Sequence, residues 1–271
     1  MGGRVGEREG TVLGDEGSRL RNYIERTPKM PVMSEQSADD VAVLETAAAD
    51  LLRHIPFFAD VSKEDMARFA ARARWRNFAA GEVVVDKGDP TDEVYFILAG
   101  EVRVVSRTVF GHEAILNDLG MGSFFGELSA IDQYPRSANV TALVQTRLCI
   151  VPGHCFIDLV LATPILGRRL LGLLSMRLRS KDERLIEFSV LSVRQRLIAE
   201  LLRLSRDRGD GTWVLSPPPP QHVLAARIGT RRESVSRELM ELSRTGMVTV
   251  GRRAIILHAH EQLVAEVQAR L

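Results

Sequence analysis

At Pro164 the chain changes texture, and that change sets what it can fold into. From Phe78 to about Val151 it runs through short β-prone segments broken by Gly and Pro: EVVVDKG, EVYFILAG, EVRVVSRTVFG, AILNDLG and ANVTALVQTRLCIV. Strands at this spacing, with turn residues between them, predict a sandwich, roll or barrel. After Pro164 the apolar residues take up helical spacing and keep it to roughly Val190. A second helix is expected from Ser192, with Gln195 in capping-box spacing, to near Arg206. RDRGDG then marks a turn, TWVLS a short strand, and PPPP a stiff spacer without donors for a sheet. Two short helices and a closing strand pair, Met247–Val250 with Ala254–His258, complete the pattern. Upstream, Val41, Val43, Leu44, Leu51 and Leu52 suggest a short helix over Asp40–His54, and another helix starts from an N-cap at Ser62, with Asp65 as the reciprocal acid. No internal repeat is visible.

A chain of 271 residues accommodates two ordinary domains and a linking element. Its 45% hydrophobic and 26% charged residues are those of a globular protein. Residues 1–38 are rich in Gly, Arg, Glu and Ser without an apolar period, so disorder is expected there, and the folded body is compatible with a start at Met33. The remaining layout is 39–163 for the β-rich domain with its N-terminal helices, 164–191 for the long helix and 192–271 for the C-terminal domain. Cys149 and Cys155 sit among apolar residues and are expected to be core thiols, not a disulfide, redox or metal site. No apolar run approaches the roughly 18 residues a membrane span needs, and there is no signal core, so a cytoplasmic protein without a membrane partner is expected. The net charge of +1 conceals a local excess, with seven arginines against three glutamates between Gln221 and Ile255.

The stretch Gly122–Val140 carries the chemistry. Gly126 opens a short turn of helix after a β-type segment, where free backbone N–H groups can face an anion. Arg136 offers a planar, permanently charged fork to a phosphate, and Ser137 adds a hydroxyl. Glu127 would repel a phosphate but suits a sugar hydroxyl. Taken alone, a Glu and an Arg in one loop are equally a surface ion pair.

The order of the residues is more specific. F-G-E-L-S-x-x-x-x-x-P-R-S-A-N-V, from Phe125 to Val140, closely resembles the phosphate-binding cassette of cyclic-nucleotide-binding domains, and GDPTDEVYFILAGEVRV resembles the strand–turn–strand that precedes it. With the C-terminal segment, the resemblance runs from about Ile55 to Leu257 and is to the cyclic-AMP receptor protein/FNR regulator family. It implies an α+β fold: an N-terminal β-roll, a long dimerisation helix and a C-terminal winged helix-turn-helix. It also implies that Gly126 and Glu127 meet the ribose hydroxyl, Leu128 and Ser129 line the turn, and Arg136 and Ser137 take the cyclic phosphate. Members that sense other signals usually lack the arginine and glutamate. An iron–sulfur branch needs a cysteine cluster that two cysteines do not supply, and the six histidines show no axial haem pattern.

Leu171, Leu174, Leu178, Leu185 and Phe188 fit a heptad seam with one slot missing, filled by Lys181 and followed by Asp182. Leu170, Leu173 and Ile186 supply a second apolar side, so the helix is suited both to cover the roll and to meet a partner chain. In the family this helix forms the homodimer, and its middle reaches the base of the bound nucleotide. The cyclic-AMP receptor has small hydroxyl residues at that level. A carboxylate and an ammonium there suit guanine, with its adjacent N1–H and amino donors and O6 acceptor. Cyclic GMP is therefore the expected effector over cyclic AMP, the alternatives being cyclic AMP itself or a plain solvated break in the seam.

From Gln221 to Gly246 the chain has helix-turn-helix proportions. Val223, Leu224 and Ile228 face inward, Ala225 holds a small-residue position, Gly229 makes the turn, and Val235, Leu239 and Leu242 line the second helix. Arg231, Arg232, Glu233, Ser236 and Arg237 cluster at the start of that helix, the end that meets base edges in the major groove. Arginine pairs with guanine, and glutamate accepts from cytosine. RRES at Arg231–Ser234 has the form of a basic-directed kinase site, a weaker reading in this context. The expected partners are double-stranded DNA, a second copy of the chain and RNA polymerase, with a cyclic nucleotide as effector and no metal. A kinase regulatory subunit would ordinarily carry two binding domains, a gated channel would carry membrane spans, and an enzyme would need a metal cluster or general base at the cassette.

Overall fold

A computed structural model describes residues 49–107 and 113–270. The segment 1–38, a start at Met33, most of the helix expected over Asp40–His54 and the end of the EVRVVSRTVFG strand lie outside the described residues. By contacts the chain divides into two units: one runs through Ser106 and resumes at Asn117–Leu171, and the other takes Arg107–Leu116 and Gly172–Leu271.

In the first unit, residues 49–53 are helical and α1 spans Lys63–Ala70. Ser62 caps α1 through a bond from the Asp65 N–H at 3.0 Å. The return half of the cap differs from expectation, because the Asp65 carboxylate takes the Ser62 hydroxyl at 2.7 Å and Arg68 at 2.5 Å. Aspartate is a methylene shorter than the Glu or Gln that usually closes such a box. Those bonds, the one from Ser62 foremost, hold its carboxyl below the usual range.

Eight strands follow: β1 (Arg74–Phe78), β2 (Val83–Val85), β3 (Val94–Ala99), β4 (Glu101–Arg107), β5 (Glu113–Gly120), β6 (Phe124–Phe125), β7 (Asn139–Ala142) and β8 (Thr146–Val151). They form two four-stranded sheets, β1-β8-β3-β6 and β2-β7-β4-β5. Antiparallel pairing sets Tyr95 opposite Ile150 and Ile97 opposite Leu148. These four share one core with Phe78, Val102, Phe125 and Val140. Phe96, between Tyr95 and Ile97, takes the other face of its strand. Its ring meets Phe58, Phe69, Phe124 and Phe156 at centroid distances of 5.0, 6.0, 5.4 and 6.1 Å. Every residue from Val94 to Leu98 is buried, as a strand covered on both faces requires. Two helices complete the unit: α2 (Glu127–Asp132), in the cassette, and α3 (Gly153–Ala162), in the stretch between Val151 and Pro164 for which no element was expected. Cys149 is a core thiol, held protonated well beyond its usual range by burial. Cys155 is only half-buried, with Sγ 3.2 Å from His154 Nε2.

The long helix α4 spans Pro164–Val190. No single helix among the described residues is long and apolar enough to cross a membrane. Next come α5 (Val193–Leu204), β9 (Arg206–Asp207), β10 (Trp213–Leu215), α6 (Gln221–Ile228), α7 (Arg232–Arg244), β11 (Val248–Val250), β12 (Ile255–Leu257) and α8 (His260–Gln268). Both halves of the Ser192–Gln195 capping box are present. The segment expected as a plain turn contains β9, which pairs with β10 and extends the wing sheet to β11-β12-β10-β9. Leu197, Ile198 and Leu201 of α5 meet Leu224, Ile228, Val235, Leu239 and Leu242 of the helix pair in one core, which also holds Leu257 and Leu263. The fold is thus the expected α+β arrangement of β-roll, long helix and winged helix-turn-helix.

Within this second unit one carboxylate gathers three arginines. Glu200 is fully buried; its Oε2 accepts from Arg184 at 2.8 Å and Arg203 at 2.5 Å, and its Oε1 from Arg227 at 3.3 Å. Arg184 also donates to the Arg227 carbonyl at 3.2 Å, and Arg196 to the Ile228 carbonyl at 2.8 Å. The end of α4, α5 and the end of α6 are therefore tied through one anion. Removing one partner from a buried charged group costs about 3–5 kcal/mol, because the others lose their compensation. Glu200→Gln should lower unfolding free energy in urea by about 3 kcal/mol or more; a loss under about 1 kcal/mol, the scale of an exposed pair, would place the cluster in effective contact with solvent.

Candidate functional site

The cassette begins where β6 ends. Gly126 has φ +87° and caps α2. A Cβ there would lie 2.6 Å from the Glu93 carbonyl oxygen and 2.8 Å from Arg136 Nη1, so glycine is required both by conformation and by space. The next residue, Glu127, is buried, as is Ser129, while Leu128 is exposed. Ten residues beyond Gly126 the chain returns beside the 86–91 turn: Arg136 N–H donates to the Asp89 carbonyl and Gly88 N–H to the Arg136 carbonyl, both at 2.9 Å.

Arg136 is only 4% exposed. Its Nε donates to Thr91 Oγ1 at 3.0 Å, Nη1 to the Gly126 carbonyl at 3.2 Å, and Nη2 to the Glu93 carbonyl at 2.8 Å and the Glu93 carboxylate at 3.4 Å. The Tyr95 ring lies 5.4 Å from its guanidinium carbon and is itself stacked on Phe125 at 4.9 Å. Burial, and then the charge of Glu93, raise the Tyr95 hydroxyl above its usual range. Gly126 and Arg136 are thus in direct contact, Glu127 and Ser129 are buried in the segment between them, and Leu128 and Ser137 are exposed. Sequence reasoning missed the partners of Arg136. Thr91, Glu93 and Tyr95 all lie in the quoted GDPTDEVYF run, but a linear motif does not say which carbonyls and hydroxyls converge on one side chain.

Lys181 and Asp182 lie on α4, in the other unit, and both are exposed. Lys181 Nζ donates to the Leu116 carbonyl at 3.4 Å. Desolvation first, then Arg184 and Arg177, lower its ammonium pKa. Along the same helix Leu171, Leu178 and Leu185 are 67, 63 and 66% exposed at seven-residue intervals, a bare apolar stripe.

In the helix-turn-helix, Gly229 closes α6 at φ +61°, and Thr230 N–H donates to the Ala225 carbonyl at 3.0 Å. Val235, Leu239 and Leu242 turn α7 inward, which leaves Arg231, Arg232, Glu233 and Arg237 exposed at its start and Ser236 half-buried. The local arginine excess overstates the outward charge, because Arg227 faces Glu200 and Arg244 is paired with Glu241 at 2.6 Å.

Residues 75–163 match the cyclic nucleotide-binding domain family, and residues 195–266 match the Crp-like helix-turn-helix domain family. The chain is 31% identical over 196 residues to the cyclic AMP receptor protein of Thermus thermophilus, covering 72% of this chain and 89% of that one. It is 25% identical over 217 residues to the CRP-like cAMP-activated global transcriptional regulator of Mycobacterium tuberculosis, covering 79% and 97%. A solved CRP/FNR-family transcriptional regulator from Thermus thermophilus superposes with a TM-score of 0.59 at 27% identity, covering 73% of this chain and all of that one. With a nucleotide-binding β-roll and a Crp-like helix-turn-helix on one chain, the protein belongs to the CRP/FNR family, as a cyclic-nucleotide-binding, DNA-binding transcription regulator.

Proposed function

We propose that the chain works as a cytoplasmic homodimer in which a cyclic nucleotide, bound in the cassette of each β-roll, controls the affinity of paired α7 helices for a palindromic DNA site and thereby the access of RNA polymerase. The observation that carries this reading is Arg136, a permanent cation buried beside the left-handed glycine of a phosphate-type loop. A cyclic phosphate would take the Arg136 guanidinium and the Ser137 hydroxyl, with Gly126 and Glu127 at the ribose and Leu128 and Ser129 lining the turn. The bare leucine stripe of α4, in the 164–191 segment expected to form the dimer, supplies the seam between copies, since apolar area at that spacing is stabilised by a second helix. Arg231, Arg232, Glu233, Ser236 and Arg237 form the DNA face.

For the effector, cyclic GMP is favoured, because Lys181 and Asp182 interrupt an otherwise apolar stripe, and charge in a seam is costly unless it is paired or used. The second reading, cyclic AMP, is favoured by the names of the relatives, one a cyclic AMP receptor and another cAMP-activated.

Isothermal titration with both nucleotides tests this. Arg136→Ala should remain a folded dimer and lose binding, each charge-assisted contact being worth about 1.5–3 kcal/mol; wild-type affinity in that variant would remove the pocket. Lys181→Ala and Asp182→Ala should erode the preference for cyclic GMP. An unchanged ratio rejects the base-reading role, and a wild type that prefers cyclic AMP by about tenfold or more rejects the choice of ligand while keeping the pocket.

On DNA, Arg232→Ala and Arg237→Ala should each cost about 1–3 kcal/mol and relax specificity at one base position, measured by competition among single-position variants of the site. Equal weakening on every sequence would reassign them to phosphates.

A further inference from the structure

We infer that Glu93 is an internal counter-anion that occupies Arg136 when no nucleotide is bound and so sets the affinity of the cassette for a cyclic phosphate. The inference rests on the pocket proposed above and concerns what that pocket must give up to bind. Glu93 holds Arg136 twice, by its carbonyl at 2.8 Å and by carboxylate Oε2 at 3.4 Å. Its other oxygen, Oε1, accepts from Arg74 Nη2 at 2.6 Å. One carboxylate is therefore shared between a buried cation and an exposed one: the Arg136 side chain is 3% exposed and that of Arg74 is 68%.

The two distances are unequal, and the inequality has a consequence. The carboxylate leans towards Arg74 and only partly compensates Arg136. Among these three side chains two guanidinium charges face one carboxylate, so Arg136 is left with attraction to spare for the single negative charge of a cyclic phosphodiester. Without Arg74, Glu93 would be free to close on Arg136 as a neutral pair, and an incoming phosphate would meet a carboxylate already seated on its cation. Arg74 is thus a positioning residue: it acts on the ligand through Glu93. The other groups shown in contact with the guanidinium, Thr91 Oγ1, the Gly126 carbonyl and the Tyr95 ring, carry no formal charge.

The test is a double-mutant cycle on the full-length protein, read as the Kd for cyclic GMP and cyclic AMP by titration calorimetry, with thermal midpoints recorded in parallel. Glu93→Gln, which keeps the shape and removes the charge, should bind both nucleotides about three- to tenfold more tightly. Arg74→Gln should bind them more weakly by a similar factor, and this loss should disappear when Arg74→Gln is combined with Glu93→Gln. Competition by the uncharged nucleosides should be the same in all four proteins. Weaker or unchanged binding in Glu93→Gln, or an Arg74→Gln loss of equal size in both backgrounds, overturns the inference and makes Glu93 a scaffold for Arg136. Absence of binding by the wild type and every variant would overturn the pocket and this inference together; wild-type binding with an unmoved Glu93→Gln overturns the inference alone.

Discussion

A guanidinium leaves water only if the protein supplies acceptors for it, and much of the first unit is arranged around that requirement. Arg136 is buried, and its acceptors come from places far apart in sequence: a threonine and a glutamate on the turn into β3, and a carbonyl at the start of α2. For these to converge, the 86–91 turn must lie against the 135–139 segment, as its backbone bonds to Arg136 and the bond from Lys87 N–H to Asn139 Oδ1 at 3.0 Å ensure. Gly126 must also adopt a left-handed conformation with no side chain. The tight roll core beneath, with Tyr95 stacked on Phe125, fixes the platform on which the cation rests. The same contacts thus hold the guanidinium in place and pin the 86–91 turn against the 135–139 segment.

The second unit solves a comparable problem with the opposite charge. Glu200 is an anion with no access to water, and the arginines that satisfy it come from α4, α5 and α6. Phe188, near the end of α4, lies between Arg184 and Arg196 at 5.9 and 5.3 Å and leaves only 3.0 Å to a Cβ at Gly229. The turn of the helix-turn-helix is therefore seated on the last turns of the long helix by charge, carbonyl bonds and an aromatic ring together. The same helix thus carries the exposed leucine stripe along its length and holds the turn of the helix-turn-helix at its end.

The sequence announced the elements that have strong periodicity or chemical punctuation. Pro164 and the leucine spacing placed α4, Ser192 and Gln195 placed the start of α5, and Gly126 with Arg136 marked the cassette. Elements held by tertiary contacts were not legible. β9 is two residues long and exists only because β10 pairs with it, and α8 is stabilised by Leu263 and Val267 in a core assembled from distant segments. α3 follows β8 after Pro152 alone, and its ten residues, opening on Gly153 and His154, carry no N-cap signal and little helical period of their own. At the site, the motif named the cation but not its partners, because convergence on a side chain is a property of the folded chain. The charge count likewise pointed to the start of α7, where Arg231, Arg232 and Arg237 are exposed, while hiding that Arg227 turns inward.

Ligand-gated recognition requires that the nucleotide bind the DNA-competent state more tightly than the other, and the two sites must then be coupled reciprocally. The direct measurement is fluorescence anisotropy of a palindromic duplex, selected from a randomised pool, titrated with the protein in the presence and absence of saturating cyclic GMP or cyclic AMP at fixed salt. Coupling of ordinary size tightens DNA binding by about 5- to 150-fold with the cognate nucleotide, with one dimer on half-sites about 34–36 Å apart. Equal DNA affinity with and without either nucleotide, in a protein that demonstrably binds one of them, would contradict a ligand-controlled regulator.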